Sequence, residues 1–425
     1  MSKTIKVAVA GVGNCAASLI EGVSFYKSNP NFQHGLTYQS IGGYTAEDIE
    51  FVVGFDIDMR KVNKPLSKAL RMAPNCTMHI SSDVSNVVPE TAMVYRGPTL
   101  DGIPDHMRHL PQDITFVEST LPGISSEEYV KLLQDLDVDV LLNYMPVGAN
   151  EASKFYIENA IRAKVHIVNC MPSYISTKEA KELEKLAIEY GVTIVGSDMR
   201  SAFGASRLSE VLQGSMLDSG LTVTQHIQMN MAANTTQGME NIITGRSANT
   251  DFLNMMEKSR LHDKHVSKEN VLNGQNVVRD MSTSGMTMFA GPSLTVLQKP
   301  GSAYIGTDNK IANLDIVAYG WAGARYELTA RLSVQDSPNS AGIVFDAIRF
   351  CIVASEEMVV GYLRGPSAWS QKTPPLQMKT SDSKFECDAL ARRIITPLVE
   401  KQLWKNKPNV DDLQYTFQTS FTDYE

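Results

Sequence analysis

The chain has 425 residues, 43% hydrophobic and 20% charged, a composition ordinary for a globular protein. That length allows roughly two or three domains, so core size is no constraint. A formal charge of −8 with no long basic run leaves no electrostatic footprint for DNA or RNA, and a nucleic acid partner is not expected.

The chain opens on the β-branched run IKVAVAGV, which predicts a strand, followed by a small-residue turn and by AASLIEGVSFY at helical spacing. After a polar stretch at 27–48 comes a second strand, IEFVVGFDID. Three more apolar runs follow, VDVLLNYMPVG, VHIVNCMP and VTIVGSD. Each is preceded by a helical pattern: SEEYVKLLQDL, EASKFYIENAIRA and TKEAKELEKLAIEYG. This alternation predicts an α/β fold, a Rossmann-like doubly wound parallel sheet over residues 1–210. Beyond it, LTVTQHIQMNM, AYIGTDN, LDIVAYGWAG and YELTARLSVQDS read as longer strands with polar and apolar residues alternating. They predict a second, α+β domain carrying a large open sheet at 211–335. A helix is expected from SAGIVFDAIRFCIVASEEM, with helices at 336–390 returning to the first domain and a C-terminal extension at 391–425 of unassigned role.

Five scattered cysteines without CxxC spacing argue for reduced thiols rather than a disulfide framework or a zinc site. Eight histidines form no HxH or HExxH arrangement, so no metal site is expected. MSKTIKVAVAGVGN lacks the apolar core of a signal peptide and no apolar run reaches membrane-spanning length, so a soluble cytoplasmic protein without a membrane partner is expected.

GVGNCA, with Gly11, Gly13 and Ala16, fits GxGxxG/A between a strand and a helix. The first glycine makes the turn, the second admits a pyrophosphate to the backbone, and the third small residue lets helix pack on sheet. Asn14 and Cys15 complete that turn as cofactor-binding candidates, and Asp56 at the end of the second strand is the candidate acceptor for ribose hydroxyls. A carboxylate there favours NAD over NADP. NYMPVG, with Pro146 and Gly148, and NCMPSY end strands where an open sheet binds ligands, although each taken alone reads first as a plain turn. GSDMRS puts Asp198 and Ser201 at the same edge, or caps a helix; DSPNSAG, with Asp336, reads equally as a turn capped by Ser337 or Ser340. Lys264 and Lys268 in DKHVSK stand at i,i+4 and by spacing alone form a solvated helix face.

Together, VAVAGVGNCAASL, GFDID, RGPTLDGI, NYMPVGANEASKFY, GSDMRS, NTDFLNMMEKSRL followed by DKHVSK, DSPNSAG and KTPP resemble the myo-inositol-1-phosphate (inositol-3-phosphate) synthase family in its shorter prokaryotic form, in family order over about residues 5–375. The resemblance implies an NAD-dependent isomerisation of glucose 6-phosphate: oxidation at C5, enolisation at C6, aldol closure onto C1 and reduction of the ketone. It implies Lys264, Lys268, Lys372 and Asp336 as catalytic, and Asp198, Ser201, Asn249 and Asp251 as lining the sugar-phosphate site. Tyr156 is a further lining candidate, and a homotetramer built on the second sheet is implied. Ammonium groups suit an enolate and an aldol alkoxide, and two adjacent lysines depress each other's pKa, leaving one free to act as a base.

Departures accompany the match. Asp263 stands where the family has Ser, and the family's GDSK or DDRK turn corresponds to LQKPGS, which leaves Lys299 as the nearest cation. TTQGMENIITGRSA at 235–248 reads as an insertion before Asn249. These departures keep open a relative acting on another sugar phosphate, or a non-catalytic NAD-binding protein.

Overall fold

A computed structural model describes residues 4–109, 112, 115–173, 177–233, 260, 266–267, 270–271 and 308–416. In chain order its strands are β1 (Ile5–Ala10), β2 (Ile49–Asp56), β3 (Met93–Arg96), β4 (Val140–Asn143), β5 (His166–Asn169), β6 (Thr193–Gly196), β7 (Thr222–Ala233), β8 (Asn309–Tyr319), β9 (Arg325–Gln335) and β10 (Gly361–Tyr362). The helices are α1 (Asn14–Ser28), α2 (Leu66–Ala69), α3 (Ser126–Asp135), α4 (Asn150–Arg162), α5 (Thr177–Tyr190), α6 (Ala205–Asp218), α7 (Asp336–Glu356), α8 (Arg364–Ser370), α9 (Thr380–Ala391) and α10 (Pro397–Glu400).

Seven strands make one parallel sheet in the order β10-β6-β5-β4-β1-β2-β3. The direction of winding reverses between β1 and β4, so the chain leaves a crevice beyond their carboxyl ends, where open α/β sheets bind ligands. Strand side chains alternate between the faces. Val7, Val9, Leu142, Val168 and Val195 join the core with Ile20 of α1 and Val344 and Ile348 of α7. Their neighbours Ala8, Ala10, Leu141, Ile167 and Ile194 join Tyr129, Tyr156 and Ile157 on the other face. Each fully buried aliphatic side chain contributes about 1.5–3 kcal/mol, which is why these runs read as continuous apolar segments rather than alternating ones.

β7, β8 and β9 form a separate antiparallel sheet. Its inner face, with Ala312 and Leu314 of β8, packs on Leu208 and Leu212 of α6. β9 is exposed at alternate positions along its length.

The structure adds to these expectations and differs from them in places. MVYR, too short and polar to show periodicity, is the edge strand β3. The run NKIANLDIVAY is one strand, while residues 303–307 of AYIGTDN lie outside the described residues. α7 begins at Asp336 rather than Ser340, and no side chain caps it. Ser337 Oγ donates instead to Asp308 Oδ1 at 3.0 Å, and Ser340 Oγ to the Ser337 carbonyl at 2.8 Å. Likewise α6 starts at Ala205 after an uncapped Gly204, so neither Asp198 nor Ser201 is a helix cap. Among the described residues no helix is long and apolar enough to cross a membrane.

Candidate active site

The glycine turn shows why its residues must be small. Gly11 has φ +93°, donates its N–H to Phe55 O at 2.9 Å, and would put a Cβ 2.5 Å from the Tyr144 carbonyl. A Cβ on Gly13 would meet nothing within 4 Å. That empty side borders a cleft of about 900 Å3, solvent at its mouth included, lined also by Gly11, Asn14, Cys15, Pro146 and Tyr156. α1 starts here without a side-chain cap and without an acidic residue in its first turn, which suits an anion. Asn14 is committed elsewhere: its Oδ1 accepts from Cys76 N (2.7 Å) and Thr77 N (3.2 Å), fixing the 75–77 loop beside the turn. Open space at Gly13, bare helix amides and a cleft at the switch point together fit a dinucleotide.

Asp56 lines the cleft and also braces the turn. Its Oδ1 accepts from Ile57 N (2.7 Å) and Asp58 N (2.9 Å), and its Oδ2 from Val12 N (3.1 Å). Lys61, a residue not singled out in the sequence, is buried 3.6 Å from Asp56 Oδ2 and donates to Val12 O (2.7 Å) and Asn75 Oδ1 (2.8 Å). Tyr156 is fully buried, packed so closely beneath Gly97 that any side chain there would strike its hydroxyl. Burial pushes that hydroxyl's pKa far above its ordinary value, so it stays neutral. Gly148, at φ +82°, seats Arg260, whose guanidinium donates to Val147 O (3.0 Å) and Asp101 O (2.6 Å). The Asp101 carboxylate of RGPTLDGI accepts from Glu151 N (2.8 Å) and Ala152 N (3.0 Å) at the start of α4.

Met199, which also lines the cleft, stands next to a buried ion pair. Lys372 Nζ donates to Asp198 Oδ1 at 2.9 Å and to Met199 O at 2.7 Å. Backbone bonds from Lys372 N to Asp198 O (2.8 Å), Thr373 N to Ser197 O (3.1 Å) and Arg200 N to Ser370 O (2.8 Å) zip the GSDMRS and KTPP loops together. Ser267, within DKHVSK, and Asn270, two residues past it, contact the same pair: Ser267 Oγ donates to Asp198 Oδ2 and Asn270 Nδ2 to Lys372 O (2.7 Å). Lys264, Lys268, Asn249, Asp251, Lys299 and the 235–248 stretch lie outside the described residues.

A second carboxylate–ammonium pair stands at the start of α7, where both Asp336 oxygens accept from Lys310 Nζ at 3.0 Å. Asp308 lies beneath it, fully buried, and Asp336 N donates to its carbonyl at 2.7 Å. Burial and the nearby Asp336 push the Asp308 carboxyl up to about 7. Cys15, at the glycine turn, donates to Ser337 Oγ at 3.9 Å and so joins this pair to the cleft. Asn339 in the first turn of α7 accepts from Ala202 N (2.7 Å) and Phe203 N (3.1 Å), joining it to the loop of Ser201. Asp308 and Lys310 escaped the sequence reading, although GTDNK carries an acid and a lysine two positions apart directly ahead of a strand. Among the described residues no cluster of His, Cys, Asp or Glu could hold a metal ion.

Comparison with known proteins bears on this arrangement. The sequence profile of the family described as myo-inositol-1-phosphate synthase matches residues 204–337. The chain is 35% identical over 395 residues to the inositol-3-phosphate synthase of Corynebacterium glutamicum, covering 91% of this chain and 98% of that one. It is 34% identical over 398 residues to that of Mycolicibacterium smegmatis, covering 90% and 97%. The crystal structure of a myo-inositol-1-phosphate synthase-related protein from Thermotoga maritima superposes with a TM-score of 0.68 at 20% identity, covering 91% of this chain and 98% of that one, a likeness of fold.

Proposed function

The chain belongs to the myo-inositol-1-phosphate synthase family, and on that premise we propose that it converts D-glucose 6-phosphate to 1D-myo-inositol 3-phosphate. The observation that carries this reading is the presence of two lysine–carboxylate pairs beside one cleft: Lys372–Asp198, whose lysine donates to the carbonyl of the lining residue Met199, and Lys310–Asp336, whose neighbour Ser337 accepts from the lining residue Cys15.

NAD fits the cleft, held by the backbone at Gly11 and Gly13, the first turn of α1, Asp56 and Pro146. Bound there, it would supply the hydride acceptor and donor for an internal oxidation and reduction. The chain's own residues hold the sugar and its charges. Asp198, Ser201, Asn249 and Asp251 are the proposed substrate residues, with Lys264, Lys268, Lys372 and Asp336 catalytic. An enolate and an aldol alkoxide each place negative charge on a sugar oxygen, and fixed ammonium groups in a water-poor cleft stabilise that charge most. Lys372 is fixed by Asp198 and the Met199 carbonyl, Lys310 by both Asp336 oxygens, so neither reorganises as charge develops. Ser267 of DKHVSK and the nearby Asn270 support the same role for Lys264 and Lys268, since both bond to the Lys372–Asp198 pair. Lys310, in place of Lys299, is the proposed lysine of the acid-and-lysine turn.

We further propose a cytoplasmic homotetramer, supported by five cysteines that form no disulfide and by the exposed aromatic residues Tyr319, Trp321 and Tyr326 on the β8–β9 hairpin. Sedimentation at micromolar concentration checks the assembly; a monomer there would rule it out.

Incubation of the purified protein with glucose 6-phosphate and NAD tests the activity. Inositol phosphate with flat absorbance at 340 nm is the expected result. Steady NADH accumulation would make it a dehydrogenase, and turnover only on another hexose or pentose phosphate would reassign the substrate.

A further inference from the structure

The C-terminal segment first does what an edge cover does. The Trp404 amide donates to Met358 O (2.7 Å), Val360 N donates to Gln402 O (3.1 Å), and Leu413 packs with Ile188 and Val360 beside the short edge strand β10. Tyr415 packs on that same apolar patch, and Thr416 reaches past it to the KTPP loop. Tyr415 lies 4.8 Å from the Arg364 guanidinium, itself held by Glu184 at 2.9 and 3.1 Å. Thr416 N donates to Pro375 O at 2.8 Å, and Thr416 Oγ1 accepts from Gln377 N at 2.6 Å.

Residues 375–377 lie just past Lys372. Pro374 and Pro375 have no N–H, so this stretch cannot anchor itself through its own amides there. It is anchored from outside. The Lys372 carbonyl accepts from Gln377 Nε2 (2.9 Å) and Asn270 Nδ2 (2.7 Å), and Gln377 is in turn fixed by Thr416. A cover for β10 alone would have no use for these bonds.

We infer that Thr416 is a positioning residue for Lys372: the C-terminal extension supplies, at Thr416, a clamp that holds the KTPP loop, and with it the Lys372 ammonium, in register with Asp198. This rests on Lys372 being catalytic. A displacement of about 1 Å in such a group can cost up to ~10²-fold in rate while leaving substrate affinity alone.

The test uses the full chain with Thr416→Pro, which removes both the N–H and the hydroxyl, Thr416→Val, which removes the hydroxyl alone, and Thr416→Ser, which restores it. Thr416→Pro is expected to lower kcat about tenfold or more, with KM for glucose 6-phosphate within about twofold and faster amide exchange at 372–378. Thr416→Val is expected to fall between, and Thr416→Ser to match the parent. Unchanged kcat in Thr416→Pro, alongside an inactive Lys372→Ala, overturns the clamp and leaves the function standing. Full turnover in Lys372→Ala removes the lysine's role and the inference with it, while exchange at 372–378 still reports whether Thr416 holds the loop.

Discussion

Lys372 and Asp198, 174 positions apart in the chain, form a 2.9 Å ion pair, and Lys372 also donates to the carbonyl of Met199, which lines the cleft at the glycine turn. Asp198 is almost fully buried and accepts from Ser267 as well, so the pair fastens three separate loops.

Removing one partner of such a pair strands a buried charge, at a cost of about 3–5 kcal/mol. Lys372→Met is therefore expected to lower both the unfolding free energy and kcat, the latter by ~10²-fold or more. Adding Asp198→Asn removes the stranded charge and recovers most of the stability without recovering turnover. Urea unfolding and steady-state kinetics on the single and double variants check both halves; recovered turnover in the double variant would contradict the catalytic role.

Lys310, bonded to both Asp336 oxygens, and Lys299 make opposite predictions. Lys310→Ala is expected to cost ~10²-fold in kcat with KM little changed, as for loss of a group that acts in the transition state. Lys299→Ala is expected to leave kcat within about twofold. The reverse pattern in a kinetic comparison would return the role to Lys299.

The two glycines of the turn separate binding from folding. Gly11→Ala puts a methyl against the Tyr144 carbonyl at a positive φ, and is expected to lower the thermal midpoint. Gly13→Ala meets no protein atom within 4 Å, so the fold is expected to survive while NAD affinity falls at least about tenfold. Calorimetric titration and thermal scans on the two variants make the comparison; unchanged NAD affinity in Gly13→Ala would move the cofactor off the turn.

Asp308 gives the stability a pH dependence. Burial and Asp336 raise its carboxyl to about 7 from an ordinary value near 3.8. Between those limits the folded chain holds a proton that the unfolded chain has released, so this group's contribution to stability is full below about pH 4 and is lost as pH rises toward 7. Asp308→Asn is expected to flatten that part of the profile. Denaturant midpoints measured from pH 4 to 8 show it; parallel profiles for the two proteins would mean that Asp308 is ionised throughout.

The parallel sheet was legible because its strands are buried on both faces and read as unbroken apolar runs, and GVGNCA because a turn this tight admits only small residues at Gly11 and Ala16. β3 was not, because MVYR at the sheet edge has a single buried side chain to signal with. Candidate site residues could be named one by one, through motif resemblance, but not paired with one another. Lys372 meets Asp198 only through the chain's return to the parallel sheet after α7, and Asp336 meets Lys310 through the antiparallel register of β8 and β9, which sets Asn309 opposite Gln335. Lys61 and Lys310 went unread for a common reason. A lysine in sequence looks like solvated charge, and only geometry shows Lys61 buried at the turn or Lys310 held on Asp336.

The most direct measurement is turnover of glucose 6-phosphate carrying deuterium at C5, with NAD supplied and the product analysed by mass spectrometry. A synthase that closes its oxidation and reduction within one site returns the deuterium to the inositol phosphate and accumulates no NADH. Loss of the label from the product into free, deuterated NADH, or the absence of any cyclic product, would contradict it.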